Sequence, residues 1–374
     1  MPTPITPLRL AKGCILGFTW GFTLSTLHSC DHLSANHQAK GIIPIVQAYR
    51  IQLEKASDMS QPLLFDAAAD FTEGLAAVRL GDRLGYIDHG GHLTVTVADP
   101  NVGISSGFAE DLAIARAGDY YGYIDRTGHW AIEVQFKQAK GFVDGLAAVQ
   151  GGTKYGFINK QGEWIIEPQY DLAESFSAGL AAVKVNDQYG YIDTDGRVAI
   201  PLGFKDAWRF AEQLAVIRVD NQHGYINVQG ETVIEPRFDG AFSFSEGLAR
   251  VRLGDKWGYI NADGSFAIEP QYGFASDFSE GLAVVLMDGK WGYIDAAGEV
   301  AIAAQFDYAS DFSGGLASVQ IDGRYGYVEP DGKVAIAPTF NNAGPFSEGL
   351  ARVQVGQQWG YINTSGSLIS TQAH

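Results

Sequence analysis

The chain is predicted to be all-β, a tandem array of nine three-stranded antiparallel units of about 34 residues, on three observations. Phenylalanines 71, 108, 142, 176, 210, 244, 278, 312 and 346 open successive copies of one unit, the first step being 37 residues and every later one 34. With that phenylalanine as position 0, Leu at position 4, Ala at 5 and Gly at 14 and 20 recur in all nine copies. The segments between the glycines are short and rich in β-branched and aromatic residues, the composition of strands. An array of this kind usually offers a surface, whereas an enzyme needs one unrepeated constellation.

The elements follow in order within a copy. Positions 4–9, as in LARVRL from Leu248, alternate as a strand does, and a polar pair such as Gly254-Asp255 links them to a second strand by a hairpin. That second strand reads Trp257-Gly258-Tyr259-Ile260 in the sixth copy. A glycine inside a strand gives up side-chain packing, so position 14 predicts a bulge or a close approach by another backbone. Asp, Asn or Glu at 17 with Gly at 20 is a turn in which the short polar side chain bonds nearby amides and glycine takes the positive φ. A third strand such as SFAIEP follows, and an aromatic at position 28 closes most units.

The boundaries are a signal-like segment at 1–30, a linker with a capping helix at 31–61, the repeat domain at 62–370 and a tail at 371–374. Arg9 and Lys12 precede fifteen uncharged residues, Gly13 to Leu27, the pattern of an export signal and short for a membrane span. Pro44 with Ile45, Tyr49 and Leu53 predicts a short amphipathic helix over the first repeat. An open superhelical solenoid is favoured over a closed β-propeller, because the unit has room for three strands and propeller blades have four. The half-unit PLLFDAAADF before Phe71 keeps closure open, since it could complete the last copy, which stops after Leu368-Ile369.

Charge narrows the partners. Residues 61–374 hold 21 basic and 40 acidic side chains, a surface that repels nucleic-acid phosphates and anionic headgroups. Both cysteines, Cys14 and Cys30, precede the repeats, so no repeat contains a disulfide or a thiolate metal site. Acids recur at position 2 (Glu73, Glu110, Asp144, Glu212, Glu246, Glu280, Glu348) and at position 17 (Asp88, Asp125, Asp193, Asp295), where turn and loop structure explains them more cheaply than catalysis or calcium. His89, His92, His129 and His223 show no metal-binding spacing; His89 and His92 are expected in solvent and His223 as a packed substitute for a ring. No catalytic, cofactor or metal residue is therefore assigned. The Trp/Tyr-Gly-Tyr rings are expected in the core, and Trp208, in the variable loop at position 32, is the candidate exposed binding residue.

Two resemblances add to this reading. The motifs Trp257-Gly258-Tyr259-Ile260, Trp291-Gly292-Tyr293-Ile294 and Trp359-Gly360-Tyr361-Ile362 resemble the WG-repeat (KWG) family of bacterial proteins. Copies one to five depart at the tryptophan, with Leu84, Tyr121, Tyr155, Tyr189 and His223. The resemblance implies a β-rich repeat and brings no established activity or catalytic residues. Leu27-His28-Ser29-Cys30 resembles a bacterial lipoprotein signal, which implies lipidation of Cys30, although His28 stands where that signal has a small residue. Together these predict an exported, non-enzymatic binding scaffold of the cell envelope, touching the membrane only through an N-terminal anchor. Its partner is a protein, or alternatively a carbohydrate or peptidoglycan stacked on exposed aromatics. An enzyme ranks third and would need a cleft where the pattern breaks, at Asp111, Gln213 or the insertion near Asp99-Pro100.

Overall fold

The computed structural model describes residues 62–97 and 99–370; Cys14, Cys30 and the expected helix after Pro44 lie outside them. Every regular element among the described residues is a strand, and the strands form nine small antiparallel sheets. The sheets are blades of a closed nine-bladed propeller, which corrects the solenoid preference.

The strand count is corrected as well. Most blades have four strands, the additional one supplied by positions 30–31 of the preceding copy. In the fifth blade, Asp206–Ala207, Leu214–Val219, Gln222–Asn227 and Thr232–Phe238 lie side by side in chain order. In five blades the added strand is only two residues long, in the second and ninth it lengthens to Val102–Ala109 and Asn342–Ser347, and in the third and seventh it shrinks to the single bridges Ala139–Val149 and Ala275–Val285. A stretch this short leaves no alternation to read.

Position 14 shows why glycine is needed within a strand. In the sixth blade Trp257 pairs with Tyr272 and Tyr259 with Ile268, so four residues of the outer strand lie opposite two of its neighbour. The bulged strand folds over Gly258, where a Cβ would lie 2.5 Å from the Ile268 carbonyl oxygen. The turn at 17–20 also forms as expected: Asp295 Oδ1 accepts from the amides of Ala297 and Glu299 at 3.0 and 2.9 Å, and Gly298 has φ +80°.

Hydrophobic burial occurs between blades. One cluster joins Leu214, Val216, Tyr225, Ile234 and Phe238 of the fifth blade to Ala241, Phe244, Ala249, Val251 and Ile260 of the sixth. The same positions build the other clusters around the ring, so a blade alone has two uncovered apolar faces. The position-15 tyrosines are fully buried, and each packs on the position-0 phenylalanine opening the next copy, as Tyr225 does on Phe244 at 5.1 Å. The hydroxyl of Tyr225 donates to the Phe242 carbonyl at 2.8 Å, satisfying a buried polar group across the blade boundary. Phe157 is the one copy without that hydroxyl. Tyr225→Phe is expected to cost about 1 kcal/mol, and Phe157→Tyr to recover up to about that amount, read as shifts in the denaturant midpoint.

The ring closes by a split strand. Leu368 pairs with Ile362 at one end of the outer strand of the ninth blade, and Phe65, from the other end of the chain, pairs with Trp359. The Phe65 amide donates to the Trp359 carbonyl and the Trp359 amide to the Phe65 carbonyl, both at 2.7 Å. Tyr361 donates to the Ala69 carbonyl at 2.6 Å and lies 5.0 Å from Phe71, repeating at the seam the contacts made elsewhere. The half-unit before Phe71 thus completes the last copy.

Candidate interaction surface

Each blade presents two sets of turns. One edge carries the turns at positions 2–3 and 18–20, and the other carries the hairpin turn at 10–11 and the link at position 29.

On the first edge the acids of position 2 have a structural task. Their own backbone is left-handed, as at Glu246 (φ 53°) and Glu280 (φ 53°). The glutamates among them accept hydrogen bonds from the same turn of the following copy: Glu246 takes the amides of Glu280 and Gly281 at 2.7 and 2.8 Å, and Glu280 those of Gly314 and Gly315 at 2.7 and 2.9 Å. The seam has its own link, from the Gly74 amide to Glu348 at 3.0 Å. Asp111 and Gln213, where the pattern breaks, are non-glycine residues at φ 68° and 67° in the same turn. Gln213→Gly is expected to leave stability within about 1 kcal/mol, because relief of the left-handed conformation is offset by greater freedom of the unfolded chain.

Three nitrogen-bearing side chains cluster on this edge near the seam. Position 18 is His89, Arg126 and Lys160 in the first three copies, and each reaches the position-2 acid of the preceding copy: Glu348 at 3.1 Å, Glu73 at 2.8 Å and Glu110 at 3.0 Å. Arg126 also pairs with Asp111 at 2.6 Å. His89 stacks on Phe71 at 4.6 Å, so it is engaged at the seam and not simply solvated. His92 lies 3.2 Å from Asp88, and the half-buried His223 ring substitutes for an aromatic as expected. The open depressions on this edge are lined by Glu110, Asp125 and Lys160 and by Gly315, Glu329 and Thr364. Among the described residues no group of three or more His, Cys, Asp or Glu is arranged to hold a metal ion.

Several carboxyls are held below their ordinary range by what they accept. Asp125 is lowered chiefly by its hydrogen bond from the Thr127 hydroxyl, and Asp307 by its bond from Lys290; for Glu110 the bonds from Lys160 and Gly145 outweigh burial. Groups lowered on folding stabilise the fold above the unfolded carboxylate range and lose that contribution as pH falls through their folded values. Thermal midpoints are therefore expected to fall as pH drops below about 4.5.

The second edge carries the aromatics. The position-13 rings are only half-buried, beside the hairpin turn, which corrects their assignment to the core; position 15 alone is fully buried. Trp208 is half-buried and packs edge-on against Phe242 at 5.2 Å, with Phe242 in turn 5.6 Å from Trp257. The Arg250 guanidinium lies 3.5 Å over Phe242, and its Nε faces Asp277 at 2.7 Å. Burial raises the Asp277 carboxyl, Arg250 opposes that rise, and Asp311 reinforces it. Farther round, Phe274, Trp291, Tyr308 and Tyr325 form a continuous row with centroid separations of 5.0, 6.1 and 6.1 Å.

Phe242, Phe274 and Tyr308 were not singled out from sequence, although a signal existed. Position 30 is Leu172, Asp206, Gly240 and Asn342 in other copies, so the rings at Phe274 and Tyr308 are not required by the fold. They are 39% and 43% exposed, and thus available to a partner. The candidate site is this aromatic sector of the fifth to eighth blades, with Trp208 at one end.

Solved structures similar to the chain have low identity. A crystal structure of a eukaryotic initiation factor aligns at TM-score 0.45 and 12% identity over 82% of this chain and 87% of that one. BamB from Moraxella catarrhalis aligns at 0.40 and 12% over 80% and 91%. PorZ, a bacterial surface component of the type-IX secretion system of Porphyromonas gingivalis, aligns at 0.33 and 11% over 84% and 54%. No curated protein sequence matches the chain. A family model described as "WG containing repeat" matches residues 61–83, 121–152, 155–189, 189–222, 224–257, 257–291, 291–325 and 325–358, well over half of the chain. With the Gly-Tyr/Phe strand repeated in all nine copies and its bulged partner in the second to eighth, the chain belongs to the family of WG-repeat proteins.

Proposed function

We propose that the protein is a non-enzymatic, protein-binding scaffold of the cell envelope whose partner docks on the aromatic sector. The observation that carries this reading is the departure from repeat symmetry. Where the fold accepts Asp, Gly or Asn, two consecutive copies place exposed rings beside Trp291 and Tyr325. Aromatic side chains supply large contact area with little rotamer entropy, and they dominate the energetics of protein interfaces. The glutamates of position 2 and the aspartates of position 17 that invited a catalytic interpretation are engaged in capping turns. The basic segment and apolar run before Cys30 support export, with Cys30 as the site of lipid attachment.

The test is affinity capture from the source cell with the purified repeat domain and with a Phe274→Ala/Tyr308→Ala double variant. A defined partner retained by the first and lost from the second is expected. Equal retention by both moves the interface elsewhere, and capture of nothing but insoluble wall glycan replaces the protein partner with a carbohydrate. Location is tested separately: Cys30→Ser is expected to release the protein from the membrane fraction, and an intact, unlipidated Met1 in native mass spectra would refute the envelope assignment.

A further inference from the structure

We infer that the row Phe274–Trp291–Tyr308–Tyr325 is a docking track for a proline-rich, arginine- or lysine-bearing polypeptide in the polyproline II conformation. The inference rests on the protein-binding reading and names the chemistry of the partner. Successive rings along the row are inclined at 75°, 60° and 61°. Rings so inclined leave notches between their faces instead of one flat platform. A pyranose stacks best on a ring face laid parallel to it, whereas the pyrrolidine rings of a polyproline II helix insert into notches in aromatic-lined grooves. The three centroid separations of 5.0, 6.1 and 6.1 Å limit the row to about 17 Å, room for a segment of up to about five residues at 3.1 Å each. Such a segment is already extended before binding and loses little entropy on docking.

Charge selects the flanks of the ligand. Lys290 and Asp307, beside the row, are joined at 2.5 Å, and Asp307 also accepts from the Asp322 amide at 2.9 Å, so this pair is already engaged. The side chains of Asp288 and Asp322, at the tips of the two hairpins that carry Trp291 and Tyr325, make no ion pair among the described residues and are exposed. They suit guanidinium or ammonium groups at the ends of the peptide, in keeping with the excess of 40 acids over 21 bases from residue 61 on.

The experiment is a fluorescence-anisotropy titration of the whole protein with a labelled peptide of two arginines, eight prolines and two arginines. Saturable binding is expected, weakened at least about tenfold by Phe274→Ala/Tyr308→Ala and less by Asp288→Asn/Asp322→Asn, since exposed rings act as anchors and rim charges contribute less. Both double variants alter exposed side chains, and an unchanged thermal midpoint verifies that they fold. Equal binding of a peptide with glycine and serine in place of the prolines would overturn the inference, because charge alone would then account for it. Binding of chitotetraose in place of the peptide, an unaffected ring variant, or no peptide binding would also overturn it. If cellular capture still depends on Phe274 and Tyr308 while the peptide fails, the scaffold stands and only the proline-rich chemistry falls.

Discussion

Replacing Phe65 with alanine is expected to lower the stability of the ring by about 3–5 kcal/mol, the range for a large side chain removed from a packed interior. Phe65 is 4% exposed, meets Tyr361 at 6.2 Å and belongs to the cluster that joins the ninth blade to the first. Deleting residues 62–65 removes in addition the paired hydrogen bonds with Trp359 and leaves an open strand edge. The deletion is expected to give an opened molecule with a larger radius of gyration by small-angle scattering. A midpoint within about 1 kcal/mol of the parent, with unchanged scattering, would show that closure does not depend on this strand.

The second large effect is expected at position 14. Gly258→Ala places a methyl group 2.5 Å from the Ile268 carbonyl oxygen and 2.6 Å from the Pro270 nitrogen, where only backbone movement relieves the contact. Gly258 does not have a positive φ, so the penalty is steric. It is expected to reach about 3 kcal/mol, against the small gain that the same change brings by restricting the unfolded chain. Gly360 is the internal control. At the seam its added methyl would meet the side-chain ends of Leu368 and Leu64 at 2.9 and 3.0 Å, which can turn aside. Gly360→Ala is expected to cost no more than about 1 kcal/mol, and urea denaturation of the two variants side by side checks the difference.

The contrast between these glycines shows what the sequence made legible. Glycine inside a strand at position 14 of every copy foretold a close backbone approach, and the Asx turn ending in Gly298 was readable because its chemistry is local. Closure was less legible. Tyr361 pairs with Phe71 as Tyr225 pairs with Phe244, and the same residues would serve an open array until the ends meet; only the half-unit at Phe65 carried the information. The added strand at Asp206–Ala207 was missed because two residues have no period. The rings at Phe274 and Tyr308 were missed because a repeat is read through what recurs, and these are departures from it.

The contact between successive blades is heterologous: the face with Tyr225 and Ile234 meets a different face, the one with Ala249 and Val251. Head-to-tail contacts either close into a ring or propagate without limit. Here both partners are segments of one chain, and Phe65 against Trp359 terminates the series inside the molecule. If that seam is released, two complementary apolar faces appear at opposite ends of one chain, each fitted to the other end of a neighbour. Assembly from such a species is therefore directional, adding molecules end to end into filaments, and the split strand of the ninth blade is what keeps the protein from becoming a polymer of itself.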